Sequence, residues 1–367
     1  MTSGDRWRLG HRPGLDGLRG VAVLLVIAYH AIGDAFPAGG VVGVTAFFLL
    51  SGFLITSLLL EERAKTGRVS LRGFYARRAR RLFPALAVML AFAGPVAIAS
   101  GTVRAADVAA VAMYSANWWM LTGHHLGMLI HTWTLSSEEQ FYALWPLALA
   151  AIVRVRRPLL VVGALAVVPL LFAEQLSIVV SADALFVGCA LGLWFHGRRT
   201  PRSLPAWAIP ACVALLVGAA FVPGAPLWPT LLATIASVGV VYGISTDSAA
   251  PVLDTALARA IGRRSYGLYL WHLPVLTLGL WIGVSAGLTY WQSVVAALVP
   301  LALIVEGSWR FVEQPFLRRK TSGDVEPVQR ERGRRSRRPG AEADARDGRR
   351  ADGRSRLGAP VDAVEAG

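Results

Sequence analysis

Two side chains able to do acid–base and anion chemistry stand eleven residues apart in the stretch LDGLRGVAVLLVIAYH, residues 15–30. Arg19 is a fixed cation, and His30 is an imidazole that titrates near neutrality. On a helix, eleven steps of about 100° leave the two roughly 20° apart in azimuth and about 16 Å apart in rise. They therefore share one face of a run that otherwise suits lipid. Ionisable groups at such depth are costly and turn toward a bundle interior or a polar cavity. A helix anchored at the headgroups by Arg19, with His30 in water at its far end, satisfies the same spacing. Asp34 follows His30 by four residues and would orient the imidazole if the helix continued that far.

Three further stretches carry polar chemistry. In the segment 72–84, Arg78 and Arg81 stand three apart on one helical face, and their planar guanidinium forks suit phosphate oxygens. The run HTWTLSSEEQFYALWP, residues 131–146, opens an apolar helix with Glu138 and Glu139 close to Gln140 and His131. A helix dipole accounts for one acidic residue near an N-terminus; two, beside His and Trp at a membrane boundary, point to a polar site. In SYGLYLWHLPV, residues 265–275, Tyr266, Tyr269 and His272 fall on nearly one face, and Pro274 predicts a kink of the kind that marks cavities in spans. Asn117 lies in a short aromatic run and is expected to line the cavity; Asp183 is expected to face the interior. Ser51 is a poor candidate nucleophile, because no base adjoins it and G-x-S-x-G is absent.

The elements that must position these groups are membrane spans. Of 367 residues, 54% are hydrophobic and 16% charged, with a mean hydropathy of +0.51, which excludes an ordinary soluble domain. The net charge of +14 does not indicate nucleic acid, since the basic residues cluster between apolar runs and in the tail. Cys189 and Cys212 both lie in apolar runs, so no disulfide framework or thiolate metal site is indicated. Spans are expected near 19–36, 41–60, 82–100, 135–153, 158–175, 181–196, 206–222, 227–245, 265–284 and 291–311. The shorter run 108–122 reads as re-entrant or interfacial. With the N-terminus inside, the inner loops collect the arginines (Arg63 to Arg81, Arg154 to Arg157, Arg198 to Arg202, Arg259 to Arg264), while the outer segments hold only Arg104. That asymmetry is the positive-inside pattern for about ten crossings with both termini cytoplasmic. The expectation is an all-α, multi-pass helix bundle over 1–320 in the inner (plasma) membrane. Residues 321–367 follow as a disordered, Arg-rich cytoplasmic tail, too poor in large apolar side chains to fold alone.

In order along this frame, the motifs resemble those of the acyltransferase-3 family of membrane O-acyltransferases over nearly all of 15–317. The Arg-x10-His element is matched by Arg19 and His30, and the Arg-x-x-Arg ahead of a proline by Arg78, Arg81 and Pro84. WTLSSEEQFY is close to the family's W-S-L-x-V-E-E-Q-F-Y with Ser137 in place of Val; SYGLYLWHLP and VEQPF, with Glu313 and Pro315, are also typical. Thr45 stands where the second-span motif often has Asp, and Ser181 where Arg often precedes Asp183. No extracytoplasmic SGNH-type domain is expected after the last span.

The resemblance implies acyl transfer from cytoplasmic acyl-CoA, as donor substrate rather than bound cofactor, to a hydroxyl of an envelope glycan, glycolipid or secondary-metabolite sugar. No metal is required. Arg19, Arg78 and Arg81 would hold the donor's phosphates, and the thioester would reach up to His30 as general base. Glu138 or Glu139 would orient His30 or bind acceptor hydroxyls, with Asn117, His131, Tyr269 and His272 contacting substrate. No residue suggests itself as oxyanion donor. The acyl group goes directly to the acceptor or to a separate extracytoplasmic partner. Two other classes fit the same composition: a flippase for a lipid-linked saccharide, since buried His, Glu and Arg also mark transport paths, and a non-catalytic membrane partner scaffolded by the basic tail.

Overall fold

Pro13 occupies the first turn of α1 (Pro13–Ile32), where its missing N–H costs nothing and its fixed φ starts the helix. The computed structural model describes residues 7–171 and 182–318 of the chain. α1 ends at Gly33, whose φ of 66° turns the chain out of the helix. Asp34 therefore falls in an exposed 3-10 turn rather than on the face of His30, and the carboxylate–imidazole pairing expected of it does not form.

The described residues contain no β-strand. After α1 come α2 (Gly39–Thr66), α3 (Leu71–Ala99), α4 (Ala105–Ala112), α5 (Ala116–Leu121), α6 (Thr132–Ile152) and α7 (Pro158–Leu171). α8 (Ala182–Phe195), α9 (Ala208–Ala219), α10 (Leu227–Ser245), α11 (Ala256–Arg263), α12 (Ser265–Ser285) and α13 (Tyr290–Gly307) complete the bundle. A π-helical turn (Ser308–Glu313) then leads into α14 (Gln314–Arg318). Pro315 explains that turn, because its ring would press on a carbonyl one regular turn earlier and it donates no hydrogen bond.

Each of the ten expected spans falls on a helix, yet length and composition qualify six as membrane-crossing: α1, α2, α3, α10, α12 and α13 with its extension. α6 carries two glutamates, α9 has 12 residues, short of the roughly 20 that cross the hydrocarbon, and α7 and α8 have 14 described residues each. The chain is thus a multi-pass membrane protein with six such helices among its described residues, and the ten-span count is not reproduced. The aromatic run 108–122 is broken rather than spanning. Tyr114, at φ 52°, closes α4, and Gln140 captures the Tyr114 carbonyl at 2.8 Å. Nearby, the Trp119 indole and the Arg104 amide bond Asp107 and hold its carboxyl below the usual range. Arg6, Ser181, the outer segment 176–180 and the tail 321–367 lie outside the described residues.

Close helix approach sets where the polar faces point. Gly52 of α2 lies against the backbone of Leu185, and Gly188 of α8 against that of Leu49, so the two helices touch without intervening side chains. Trp7, 6% exposed, stacks on Phe195 at 4.7 Å and donates its indole N–H to the Ser245 carbonyl at 2.8 Å, tying the N-terminal segment to α8 and α10.

A methyl group at position 188 has no room, whereas one at Gly163 meets nothing within 4 Å. Gly188→Ala is expected to destabilise by about 1–3 kcal/mol, read as a clear drop in Tm of the detergent-purified protein. Gly163→Ala is the neutral control. Trp7→Ala should cost about 3–5 kcal/mol by the same measurement.

Candidate functional site

α1 is long enough to carry Arg19 and His30 into two different cavities. The first, about 690 Å³ with its open mouth, lies toward the α2–α3 loop and is lined by Arg19 of α1, Ser51 of α2, Arg78 and Arg81 of α3, Thr134 and Glu138 of α6, and Tyr266 and Tyr269 of α12. The second, about 1020 Å³, lies at the opposite end of α1; Tyr29, His30, Val41, His131, Trp133, Thr134 and Tyr269 line it. Val44, Thr134 and Tyr269 belong to both. Arg19 and His30 share one face of α1, yet each opens on its own cavity, and the two cavities have Val44, Thr134 and Tyr269 in common.

In the first cavity positive charge outweighs negative. Arg78 pairs with Glu139 at 3.1 Å and lays its guanidinium 3.2 Å from the centroid of the Tyr142 ring. Glu138 accepts hydrogen bonds from Ser51 Oγ and from the Tyr142 hydroxyl, the latter at 2.5 Å. Arg19 and Arg81 form no ion pair among the described residues, and the Nε atoms of Arg19 and Arg78 have no partner there. Three guanidinium groups against two hydrogen-bonded carboxylates leave this region with excess positive charge, and guanidinium forks match the oxygens of carboxylates and phosphates.

Both glutamates thus belong with the arginines and not with His30. The sequence motif could not separate the two possibilities, because Glu138 and Glu139 project from α6 in directions about 100° apart and either could have turned toward the imidazole. Asn117 also departs from expectation: it exchanges amide hydrogen bonds with Gln140 at 3.0 and 2.9 Å, pins α5 to α6, and lines neither cavity.

Around His30 the ring cluster is close. His272 lies 5.2 Å from His30 and 5.0 Å from His131 between centroids, and Tyr269 lies 5.6 Å from His131. His272 is fully buried and lines neither cavity; it backs His30 rather than meeting a ligand. Its Nδ1 donates to the Tyr269 carbonyl at 2.7 Å, and His131 Nε2 donates to the Leu270 carbonyl at 3.1 Å, which assigns the protonated nitrogen in each ring. His30, half-buried, keeps its ring nitrogens free of protein hydrogen bonds among the described residues. Tyr266 turns away from the histidines and donates to the Leu82 carbonyl at 2.8 Å.

Three side chains of this site were not singled out in the sequence: Tyr142, Thr134 and Val44. Tyr142 sits four residues after Glu138, a spacing that brings side chains together on a helix and could have found it. Thr134 and Val44 carry no such signal. Asp183, 2% exposed with Oδ1 unpartnered among the described residues, is buried as expected but lies at neither cavity.

Known proteins are similar along most of this chain. A family model described as an acyltransferase domain, of the acyltransferase-3 type, matches residues 12–307. The peptidoglycan O-acetyltransferase OatA of Listeria monocytogenes is 31% identical over 362 residues, covering 86% of this chain and 57% of that protein. The putative peptidoglycan O-acetyltransferase YrhL of Bacillus subtilis is 32% identical, covering 83% and 54%. A putative O-acetyltransferase of Staphylococcus aureus is 27% identical, covering 84% and 58%. The chain spans a little over half the length of these curated relatives. No solved structure matches it. A family match that takes in both cavities and runs from Arg12 to Gly307 leaves one assignment: this protein belongs to the acyltransferase-3 family.

Proposed function

We propose that this protein moves an acyl group, acetyl or another short chain, from acyl-CoA to a sugar hydroxyl of an envelope glycan, with His30 as general base. The observation that carries the reading is the division of α1. Its cationic end opens on a cavity suited to phosphates, its imidazole end on a cavity open to the opposite side, and one thin wall separates them. The names of the relatives, peptidoglycan O-acetyltransferases, support a glycan acceptor and an acetyl group. The clustering of arginines on the loops at the Arg78 end supports placing that cavity on the cytoplasmic side of the plasma membrane, where acyl-CoA is made. On that reading the shorter helices α7, α8 and α9 complete about ten crossings.

The chemistry each group supplies follows from its place. Arg19, Arg78 and Arg81 hold the donor's phosphates at the inner mouth, as guanidinium forks do. Glu139 and Tyr142 fix the Arg78 plane, and Ser51 and Tyr142 hold Glu138. The acceptor hydroxyl enters the outer cavity and meets His30, whose ring nitrogens are free to take its proton. His272 and His131, each with one nitrogen tied to a backbone carbonyl, hold the walls behind it.

A second reading has one observation in its favour. Two cavities meeting at a closed wall are also the geometry of alternating access, in which a saccharide would cross without covalent chemistry. Release of free CoA by the purified protein separates the two, since a flippase consumes none.

Expected outcomes follow for the purified protein in proteoliposomes with radiolabelled acetyl-CoA and a soluble peptidoglycan fragment. His30→Ala should lower kcat by about 10²–10⁴-fold with its Tm kept; unimpaired transfer removes His30 from the mechanism. Arg81→Ala should raise KM for acetyl-CoA by about tenfold or more, the loss of one charge-assisted phosphate contact of roughly 1.5–3 kcal/mol. An unchanged donor KM would place the phosphates elsewhere.

A further inference from the structure

Resting on the acyl-transfer reading, we infer that the paired hydroxyls of Thr134 and Tyr269 form the oxyanion site of the reaction, at the wall between the two cavities. A donor entering through the arginine cavity and an acceptor entering beside His30 can meet only at the surface common to both. Val44, Thr134 and Tyr269 make up that surface. Val44 has nothing to donate, so the two hydroxyls are its hydrogen-bond donors.

The interiors of the helices at the wall offer no backbone substitute. Acyl transfer places negative charge on the carbonyl oxygen, and many such sites hold it with free backbone N–H groups. Here the wall is built from the interiors of α2 (Gly39–Thr66) and α12 (Ser265–Ser285) and the third residue of α6. Inside α2 and α12 the N–H groups are consumed by carbonyls one turn earlier, whereas the N–H of Thr134, in the first turn of α6, lies outside that helix's own ladder. The guanidinium groups line the first cavity alone and are committed there to a polyanion. The two side-chain hydroxyls, beside the first-turn N–H of α6, are the donors left at the meeting point.

Their geometry is fixed in advance. The Tyr269 hydroxyl donates to the His131 carbonyl at 2.9 Å, Thr134 Oγ1 lies 3.1 Å from the same carbonyl, and the two hydroxyls are hydrogen-bonded to each other. Thr134 is 5% exposed, and the Tyr269 ring is held by Phe47 at 6.1 Å and His272 at 5.5 Å between centroids. Each hydroxyl carries a single hydrogen on a rotor. A thioester carbonyl that reaches the wall takes both hydrogens by rotation about two C–O bonds, with no movement of a helix.

The step balances as follows. The acceptor oxygen attacks the thioester carbon while His30 removes its proton, and the C=O pair moves to oxygen, where Thr134 and Tyr269 hold it. The pair then re-forms the C=O bond, the C–S bond breaks, and the CoA thiolate takes the proton back from the imidazolium. The products are an O-acyl sugar and free CoA.

The test uses full-length protein in proteoliposomes with radiolabelled acetyl-CoA and a soluble peptidoglycan fragment. Tyr269→Phe and Thr134→Val should each lower kcat by about 100- to 1000-fold, with KM for acetyl-CoA within about twofold and Tm kept. Thr134→Ser, which restores the donor, should recover most of the rate. A kcat within a few-fold of wild type in either donor-lacking variant, or a loss confined to KM, overturns the assignment. So does an inactive Thr134→Ser protein that has lost its Tm, which would mark the pair as structural. Failure of the wild-type protein to release CoA would instead sink the acyl-transfer reading itself, a result distinct from active wild type with active Tyr269→Phe.

Discussion

The Arg78 guanidinium, set among apolar helices, is the constraint from which the rest of the site follows. A cation at that depth needs a partner and hydrogen bonds, or it is not tolerated. Glu139 supplies the charge at 3.1 Å and the Tyr142 face supplies a second contact. Tyr142 in turn donates to Glu138, which also accepts from Ser51, so one half-buried arginine on α3 recruits groups from α2 and α6. Arg19 and Arg81 stand outside this closed set with no carboxylate of their own among the described residues, and their charge faces the cavity. A polar network in a bundle of spans is either complete or aimed at a ligand; here part is complete and part is open.

Packing decides how far that network can drift. The α2–α8 contact is backbone against backbone at Gly52 and Gly188, which fixes the rotation of α2 and with it the direction of Ser51 and Val44. Trp145 donates to Thr56 Oγ1 at 2.8 Å, so α6 is tied to the same helix and Thr134 and Glu138 are set relative to Ser51. α1 works as a ruler through these contacts: three turns separate the arginine from the histidine, and each opens on its own chamber.

The two chambers also explain why the histidines come as a group. His272 and His131 each surrender one nitrogen to a backbone carbonyl on α12, at 2.7 and 3.1 Å. They shape the wall behind His30 and hold the α12 backbone at Tyr269; His30 and His131 both line the second cavity, and of the three it is His30 whose ring nitrogens have no protein hydrogen bond among the described residues. Identical side chains therefore have unlike duties, assigned by their hydrogen bonds.

Residue spacing alone determined that Arg19 and His30 share one face, that Arg78 and Arg81 stand together on another, that the chain crosses a membrane many times, and which family its motifs resemble. Those features are local: each depends on helical periodicity, on hydropathy over about 20 residues, or on short motifs read along one strand of sequence. What lay beyond reach was every choice between neighbouring helices. Glu139 went to Arg78 and Glu138 to Ser51 and Tyr142 instead of to His30, Asn117 went to Gln140, His272 went behind the cavity, and Thr134 came to meet Tyr269 across 135 residues of chain. Even the number of full spans was left open, since α9 runs for 12 residues, short of a full crossing. Only the tertiary structure settles such matters, because the partner of a buried polar group is set by the rotation and close approach of whole helices, and no spacing within a single helix encodes that.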